Sequence, residues 1–364
     1  MQINYSARLE KLLSAVDADV VAIVPGPNME YFTGLHFHLS ERPTIAFVHR
    51  EGLTFVIPQL EMTKLTNRPD LEAQAFGWSD ADGYQQTVES AVIALGLGRG
   101  QKLGVDGMTM RVFEWLALAQ GGVDVAQTDD VGQDLLWVRA FKTDQEVALL
   151  QEAIDLSETA LQRTIEWAQI GMSELEIARK LTDELHELGA EGLAFESLVL
   201  TGENSALPHG TTSERRLGGQ EFLLIDFGGK KRGYPADITR TFCLDQPSEQ
   251  MREIYEAVRH ANLAAQAIAK PGVSCHDVDR AARDVIEEAG YGEYFTHRLG
   301  HGLGLSGHEL PNIAPNNDIK LEAGMVFTIE PGIYLPNLGG VRIEDDVLVT
   351  EDGIRSLTRF PRDL

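Results

Sequence analysis

The chain has 364 residues, more than a single hydrophobic core usually serves, so two domains are expected. With 43% hydrophobic and 24% charged residues it has the composition of a soluble globular protein. The formal net charge of −25 repels phosphate backbones and anionic lipid, which argues against nucleic acid or membrane as partners and lets carboxylate clusters draw metal cations.

Residues 1–130 read as a small α/β domain. Val20 to Val24 is a buried-strand pattern ended by Pro25-Gly26. Thr44 to Val48 and Thr54 to Ile57 read as two strands joined by a turn at Arg50-Glu51-Gly52. Tyr84 to Leu95 and Met110 to Gln120 have helical spacing, and Lys102 to Asp106 is a further short strand. The stretch Asp129–Asp134 marks the domain boundary.

Residues 135–364 read as helices on a largely antiparallel sheet. Thr143 with Glu146 and Ser173 with Glu176 have the capping-box spacing that opens a helix. Glu249 to Ile268 and His276 to Glu288 are amphipathic helices separated by Lys270-Pro271-Gly272. Strand patterns lie at Glu196 to Leu200, Phe222 to Phe227, Ile238 to Leu244, Met325 to Ile329 and Val341 to Val349. The overall class is α+β. Cys243 and Cys275 form no CxxC pair or disulfide framework, no basic-then-apolar leader opens the chain, and no apolar run reaches about 18 residues. A cytoplasmic location is therefore expected.

Several carboxylates stand where burial makes them costly. Asp226 ends the apolar run Phe222-Leu223-Leu224-Ile225, and the chain turns through Gly228-Gly229 and Gly233 to return as Ala236-Asp237-Ile238-Thr239. A hairpin would bring Asp226 and Asp237 together, with Asp237, Thr239 and Thr241 on one face. Glu330 ends Met325-Val326-Phe327-Thr328-Ile329, and Glu344 lies within Val341-Arg342-Ile343-Glu344-Asp345, with Asn337 midway between the two acids. Two hairpins would thus each deliver two acids to a sheet interior, and four crowded anions cannot all stay ionised without cations. His301, flanked by Gly300 and Gly302, supplies an imidazole where backbone can approach closely. Such a set suits Mn²⁺, Co²⁺, Zn²⁺ or Fe²⁺, and carboxylates readily bridge paired hydrolytic metals.

The segments Asp226 to Thr241, Gly300 to Pro311, Thr328 to Tyr334 and Val341 to Asp345 resemble the pita-bread metallopeptidases, which include methionine aminopeptidase, aminopeptidase P and Xaa-Pro dipeptidase (prolidase). Asn28-Met29-Glu30-Tyr31-Phe32-Thr33-Gly34 resembles a motif of the smaller lid domain found in that family, which argues against a bare methionine aminopeptidase. The resemblance implies a creatinase/methionine aminopeptidase-like C-terminal domain, a homodimer formed with help from the N-terminal lid, and two divalent ions per subunit, Mn²⁺ first and Co²⁺ or Zn²⁺ as alternatives. It implies that Asp226 binds one metal with both oxygens, that Asp237 and Glu344 bridge the two, and that His301 and Glu330 complete the ligand set of the second metal, with Glu330 as general base. It implies further that His209 and His308 act at the scissile bond, that His297 and Tyr334 contact substrate, and that Arg342 steadies a bridging acid.

The expected substrates are Xaa-Pro peptides, and the compact length with one short lid leans to dipeptides. One departure matters. Many prolidases carry an Arg shortly after the His-Glu-x-Pro segment to hold the dipeptide carboxylate, and this chain has Asn312 there. Arg42, in the loop His36 to Pro43, is the substitute that the sequence suggests. The alternative is an aminopeptidase P acting on longer peptides. A creatinase-like hydrolase or a non-catalytic peptide binder fits less well, because all five ligands are present. Gly302-Leu303-Gly304-Leu305-Ser306-Gly307 spells a dinucleotide fingerprint, but Pro311 follows where that motif needs a helix. The nucleophile-elbow spacing and HExxH are absent from the sequence.

Overall fold

The computed structural model describes residues 3–364, and the chain divides into two compact units, Met1–Arg139 and Ala140–Leu364. The first holds helices α1 (Tyr5–Ala15), α2 (Pro27–Thr33), α3 (Met62–Thr66), α4 (Gln85–Ala94) and α5 (Val112–Gln120), and the division falls near the end of α6 (Gly132–Ala140), later than the boundary suggested by the sequence. Its strands are β1 (Val20–Ile23), β2 (Ile45–His49), β3 (Gly52–Pro58), β4 (Ala73–Trp78), β5 (Leu103–Val105) and β6 (Thr128–Asp130). They form one mixed sheet in the order β4-β3-β2-β1-β5-β6. Val20, Ala22, Phe47 and Val56 of the sheet pack against Val88, Ala91 and Leu118 of α4 and α5, which makes the core of this unit.

The second unit is antiparallel throughout its described pairings. Its helices are α7 (Asp144–Trp167), α8 (Glu174–Glu187), α9 (Glu249–Ile268) and α10 (Cys275–Glu288). Both capping boxes form: Glu146 N donates to Thr143 Oγ1 at 3.3 Å, and Glu176 N to Ser173 Oγ at 3.2 Å. Leu150, Ile154, Leu161, Ile177, Leu181 and Leu185 of α7 and α8 bury themselves against Val199, Leu223, Ile225 and Phe227. Each such side chain contributes about 1.5–3 kcal/mol of apolar burial. This packing pins the strand that carries Asp226.

Both acid-bearing hairpins are real, and both are broken in the middle. In the first, β8 (Leu223–Phe227) follows β7 (Leu198–Thr201), and short strands β9 (Lys230–Lys231) and β10 (Tyr234–Pro235) lead to β11 (Ile238–Phe242). Phe227 pairs with Ile238 and Lys231 with Tyr234, while residues 228–229 and 236–237 leave the ladder. Gly228 is required there: a Cβ would lie 1.7 Å from the Ala236 carbonyl oxygen. Asp237 sits on this break.

The third segment, β12 (Gly300–Gly302), carries His301 and pairs with β13 (Glu309–Ile313) across a bulge. Added Cβ atoms at Gly300 and Gly302 would fall 1.9 Å from Thr328 O and 2.1 Å from Leu310 O, so close backbone approach explains both glycines.

In the second hairpin, β14 (Val326–Ile329) and β15 (Gly332–Leu335) run out to a tip where Asn337 takes φ 70, then β16 (Gly339–Arg342) and β17 (Asp345–Val349) return before β18 (Ile354–Ser356). Ile329 pairs with Asp345 and Gly332 with Arg342, so Glu330 and Glu344 face each other across the break between these ladders. The run from Val341 to Val349 is therefore two strands and not the single one expected. Its outer part pairs only with β15, while its inner part joins the five-stranded sheet β13-β12-β14-β17-β18. Asn262, fully buried on α9, donates to Ile329 O at 3.0 Å and Ile343 O at 3.3 Å, which satisfies carbonyls that the broken ladder leaves unpaired.

Gly228→Ala should lower stability by more than about 2 kcal/mol, since the new methyl must displace backbone. Chemical denaturation followed by circular dichroism measures this, and an unchanged midpoint would mean that the break is looser than described.

Candidate metal centre

The two broken hairpins and the glycine-flanked strand meet at one cavity of about 610 Å³. Asp226, Asp237, His301, Glu330 and Glu344 all line it, together with His209, His297, His308, Arg298 and Arg342. Asp237, His301 and Glu344 are buried, and each offers a ligand atom within 4.8 Å of the others. His301 Nε2 lies 3.4 Å from Glu330 Oε1 and 3.6 Å from Asp237 Oδ2.

These histidine contacts are not ion pairs. Burial pushes the His301 imidazole down to about 3, so the ring is neutral. Its Nδ1 faces Gly302 O at 3.2 Å, and a carbonyl can only accept, so the proton sits on Nδ1. Nε2 therefore points a bare lone pair at two carboxylates. Burial first, and then Glu344 and Asp226, holds the Asp237 carboxyl well above its usual range. Burial and Glu330 do the same to Glu344, and burial lifts Glu330 to about 7 against the pull of Arg342. Asp226 Oδ1 is buried with no hydrogen-bond partner. Lone pairs, crowded acids and an orphaned carboxylate oxygen all face one another, which is the donor set a pair of hard-to-borderline divalent cations would complete. The residues present fit such ions.

A second layer of contacts fixes the acids. Arg342 NH2 donates to Asp226 Oδ2, its NH1 to Tyr334 Oη at 2.8 Å and its Nε to Thr239 Oγ1 at 3.1 Å. Thr239 Oγ1 in turn donates to Glu344 Oε2 at 2.5 Å. Buried Arg240 donates to Glu344 O at 2.6 Å and to Asp345 Oδ1 at 2.7 Å. Asp237 N donates to Asp346 Oδ2 at 3.2 Å. Sequence reading found Arg342 but missed Arg240, Asn262 and Asp346. The available signal was polarity out of place: Asn262 interrupts the apolar face of α9, and Arg240 and Asp346 stand in buried strand positions.

Tyr334, expected to touch substrate, lies behind the cavity wall. It is buried, its phenol is pushed up to about 12 by burial, and it donates to His297 Nε2 at 2.8 Å while accepting from Arg342. His297 Nδ1 donates to Arg298 O at 2.7 Å, and burial holds the ring down to about 4, so His297 is neutral with both nitrogens engaged. Arg42 belongs to the N-terminal unit, where its Nε and NH2 donate to the two Asp80 oxygens, each at 2.9 Å. Arg298, absent from the sequence reading, lines the cavity and donates through NH1 to Asn312 Oδ1 at 2.7 Å and through NH2 to His308 Nδ1 at 3.2 Å. An arginine can only donate, so His308 carries its proton on Nε2.

The raised acids set a pH dependence. Their folded-state values exceed their unfolded ones, so the native chain binds more protons and loses stability as pH rises through the folded values. Between pH 7.5 and 9 the lowered histidines are neutral in the folded state and at least about nine-tenths neutral even in the unfolded one, so they do not oppose this trend. The metal-free protein should lose at least about 3 °C in melting temperature over that interval, and saturating Mn²⁺ should abolish the loss. Scanning calorimetry with and without chelator measures it; a melting temperature that rises with pH in the metal-free protein would contradict the buried-acid geometry.

Comparison with known proteins identifies the family. The Creatinase/Prolidase N-terminal domain family matches residues 6–141, and metallopeptidase family M24 matches residues 148–351. The chain is 39% identical over 342 residues to the putative dipeptidase YkvY of Bacillus subtilis, covering 93% of this chain and 92% of that one. It superposes on the Xaa-Pro dipeptidase from Bacillus anthracis with a TM-score of 0.90 at 32% identity, over 99% of each chain. For the X-Pro aminopeptidase from Thermotoga maritima the TM-score is 0.84 at 31% identity, over 97% of this chain and 99% of that one. These likenesses bear out the pita-bread fold, and the chain belongs to metallopeptidase family M24, with the N-terminal domain shared by creatinases and prolidases.

Proposed function

We propose that the protein hydrolyses the Xaa-Pro bond of dipeptides, with two divalent ions, Mn²⁺ first, held by Asp226, Asp237, His301, Glu330 and Glu344. The observation that supports it most is the meeting, in one cavity, of four carboxylates with the unprotonated Nε2 of His301. Bound ions there would lower the pKa of a water and polarise a peptide carbonyl.

The chain's own groups do the rest. Glu330, which lines the cavity with its Oε1 3.4 Å from His301 Nε2, is the carboxylate assigned to take a proton from the attacking water. His308 offers its Nε2–H to the scissile carbonyl oxygen, and burial with the neighbouring Arg298 charge keeps it neutral and therefore a stable donor. His209 lines the same cavity and is assigned to the scissile bond beside it. The edge of Phe295 packs against His297 at 5.1 Å between ring centroids, which stiffens a wall suited to a proline ring. Ala194, Phe195 and Pro208 supply apolar lining for the first residue.

The same reading takes Met1–Arg139 as lid and dimerisation domain and the protein as a cytoplasmic homodimer. Two free cysteines accord with a reducing compartment, and no described helix is long and apolar enough to cross a membrane. The alternative, an aminopeptidase acting on longer Xaa-Pro peptides, draws support from Asn312, which brings no charge to a substrate carboxylate.

A panel of Xaa-Pro dipeptides and tripeptides with Mn²⁺, Co²⁺ and Zn²⁺ tests the proposal, which expects the dipeptides to be preferred. His308→Ala should cut kcat by about 100-fold or more at unchanged metal content. A loss below 10-fold would remove His308 from the oxyanion role, and preference for tripeptides would transfer the protein to the aminopeptidase reading.

A further inference from the structure

A dipeptide brings its C-terminal carboxylate to within one residue of the scissile bond, about 3.5 Å of chain. That anion must then share a cavity with four acids, which requires a cation to receive it. Two cationic side chains line the cavity among the described residues, Arg298 and Arg342. Arg342 is committed, with its three nitrogens on Asp226, Tyr334 and Thr239.

Arg298 is built differently. Its two partners, Asn312 Oδ1 and His308 Nδ1, are both neutral, and no carboxylate among the described residues lies within ion-pair distance of it. Neutral acceptors fix a guanidinium without cancelling its charge. Two of its five N–H groups are used and the others remain for a ligand. Asn312, which by itself brings no charge, acts as the prop for this cation. A single imidazole separates Arg298 from the His308 Nε2–H assigned to the scissile carbonyl. The carbonyl and the next residue's carboxylate are spaced on that same scale.

We infer that Arg298, held by Asn312 and His308, reads the free C-terminal carboxylate of the substrate and so makes the chain a dipeptidase. This rests on the Xaa-Pro peptidase reading and deepens it. Arg42, whose fork is filled by Asp80, is the rival for the same carboxylate. An acidic side chain on the first residue is the rival anion for Arg298.

The test is steady-state kinetics of Mn²⁺-loaded wild type, Arg298→Ala, Arg298→Lys and Arg42→Ala on Ala-Pro, Ala-Pro amide and Asp-Pro. Arg298→Ala should lose roughly 10- to 100-fold in kcat/KM on Ala-Pro, mainly through KM, and far less on the amide. Arg298→Lys should recover part of the loss, since a point charge replaces the fork. Equal losses on Ala-Pro and its amide overturn the inference, as does a loss confined to Asp-Pro or a selective loss seen only in Arg42→Ala. A wild type that cleaves none of the three sinks the Xaa-Pro reading itself. An active wild type with equal losses sinks only the role of Arg298.

Discussion

Like charge crowded into one largely buried cavity is the constraint that organises this protein. Asp226, Asp237, Glu330 and Glu344 converge on one cavity, and His301 adds a lone pair where a proton would have relieved the crowding. Left alone, such a cluster protonates or pushes apart. The fold blocks the second outcome, and burial raises the acids toward the first until cations replace the protons. Arg342 holds Asp226, Thr239 holds Glu344, and the backbone of Asp237 is tied to Asp346. The acids are kept close enough to need cations, and the rest of the catalytic unit can be understood as the frame that keeps them there.

The frame solves a problem of strand geometry. Side chains on an unbroken strand alternate between faces, and a ladder buries its own polar backbone but aims acids into a core only at a cost. The first hairpin is interrupted at Asp237 and the second at Glu330 and Glu344, while Asp226 stays within its ladder. The interruption turns Asp237, Glu330 and Glu344 toward the cavity and leaves backbone groups unpaired. Asn262 and Arg240 take up the carbonyls of Ile329, Ile343 and Glu344, so the breaks are stable features. Gly228 and Gly300 let the flanking strands approach more closely than any side chain permits.

Much of this was legible in the sequence because chemistry and spacing coincide. Asp226 after a run of four apolar residues, the turns at Gly233 and Asn337, and His301 between glycines each have a local physical reason to be noticed. The helices followed from capping residues and apolar period. What escaped were non-local partners. Asn262 lies far from Ile329 in sequence, so its role depends on how α9 crosses the sheet. Val341 to Val349 reads as one strand because nothing local marks a change of sheet at Ile343. Arg298 was passed over beside two histidines that carried the motif, and Tyr334 was placed at the substrate when packing puts it behind Arg342. Register and packing decide such positions, and neither is written in any short window.

The central claim is that the converging acids exist to hold two cations. Native mass spectrometry of the purified chain after Mn²⁺ loading counts them directly. Two ions per chain are expected, falling to at most one in Glu344→Gln, which removes one carboxylate from the set that would hold them. A wild-type chain that takes up no ion, or a Glu344→Gln chain that still binds two, would contradict the account.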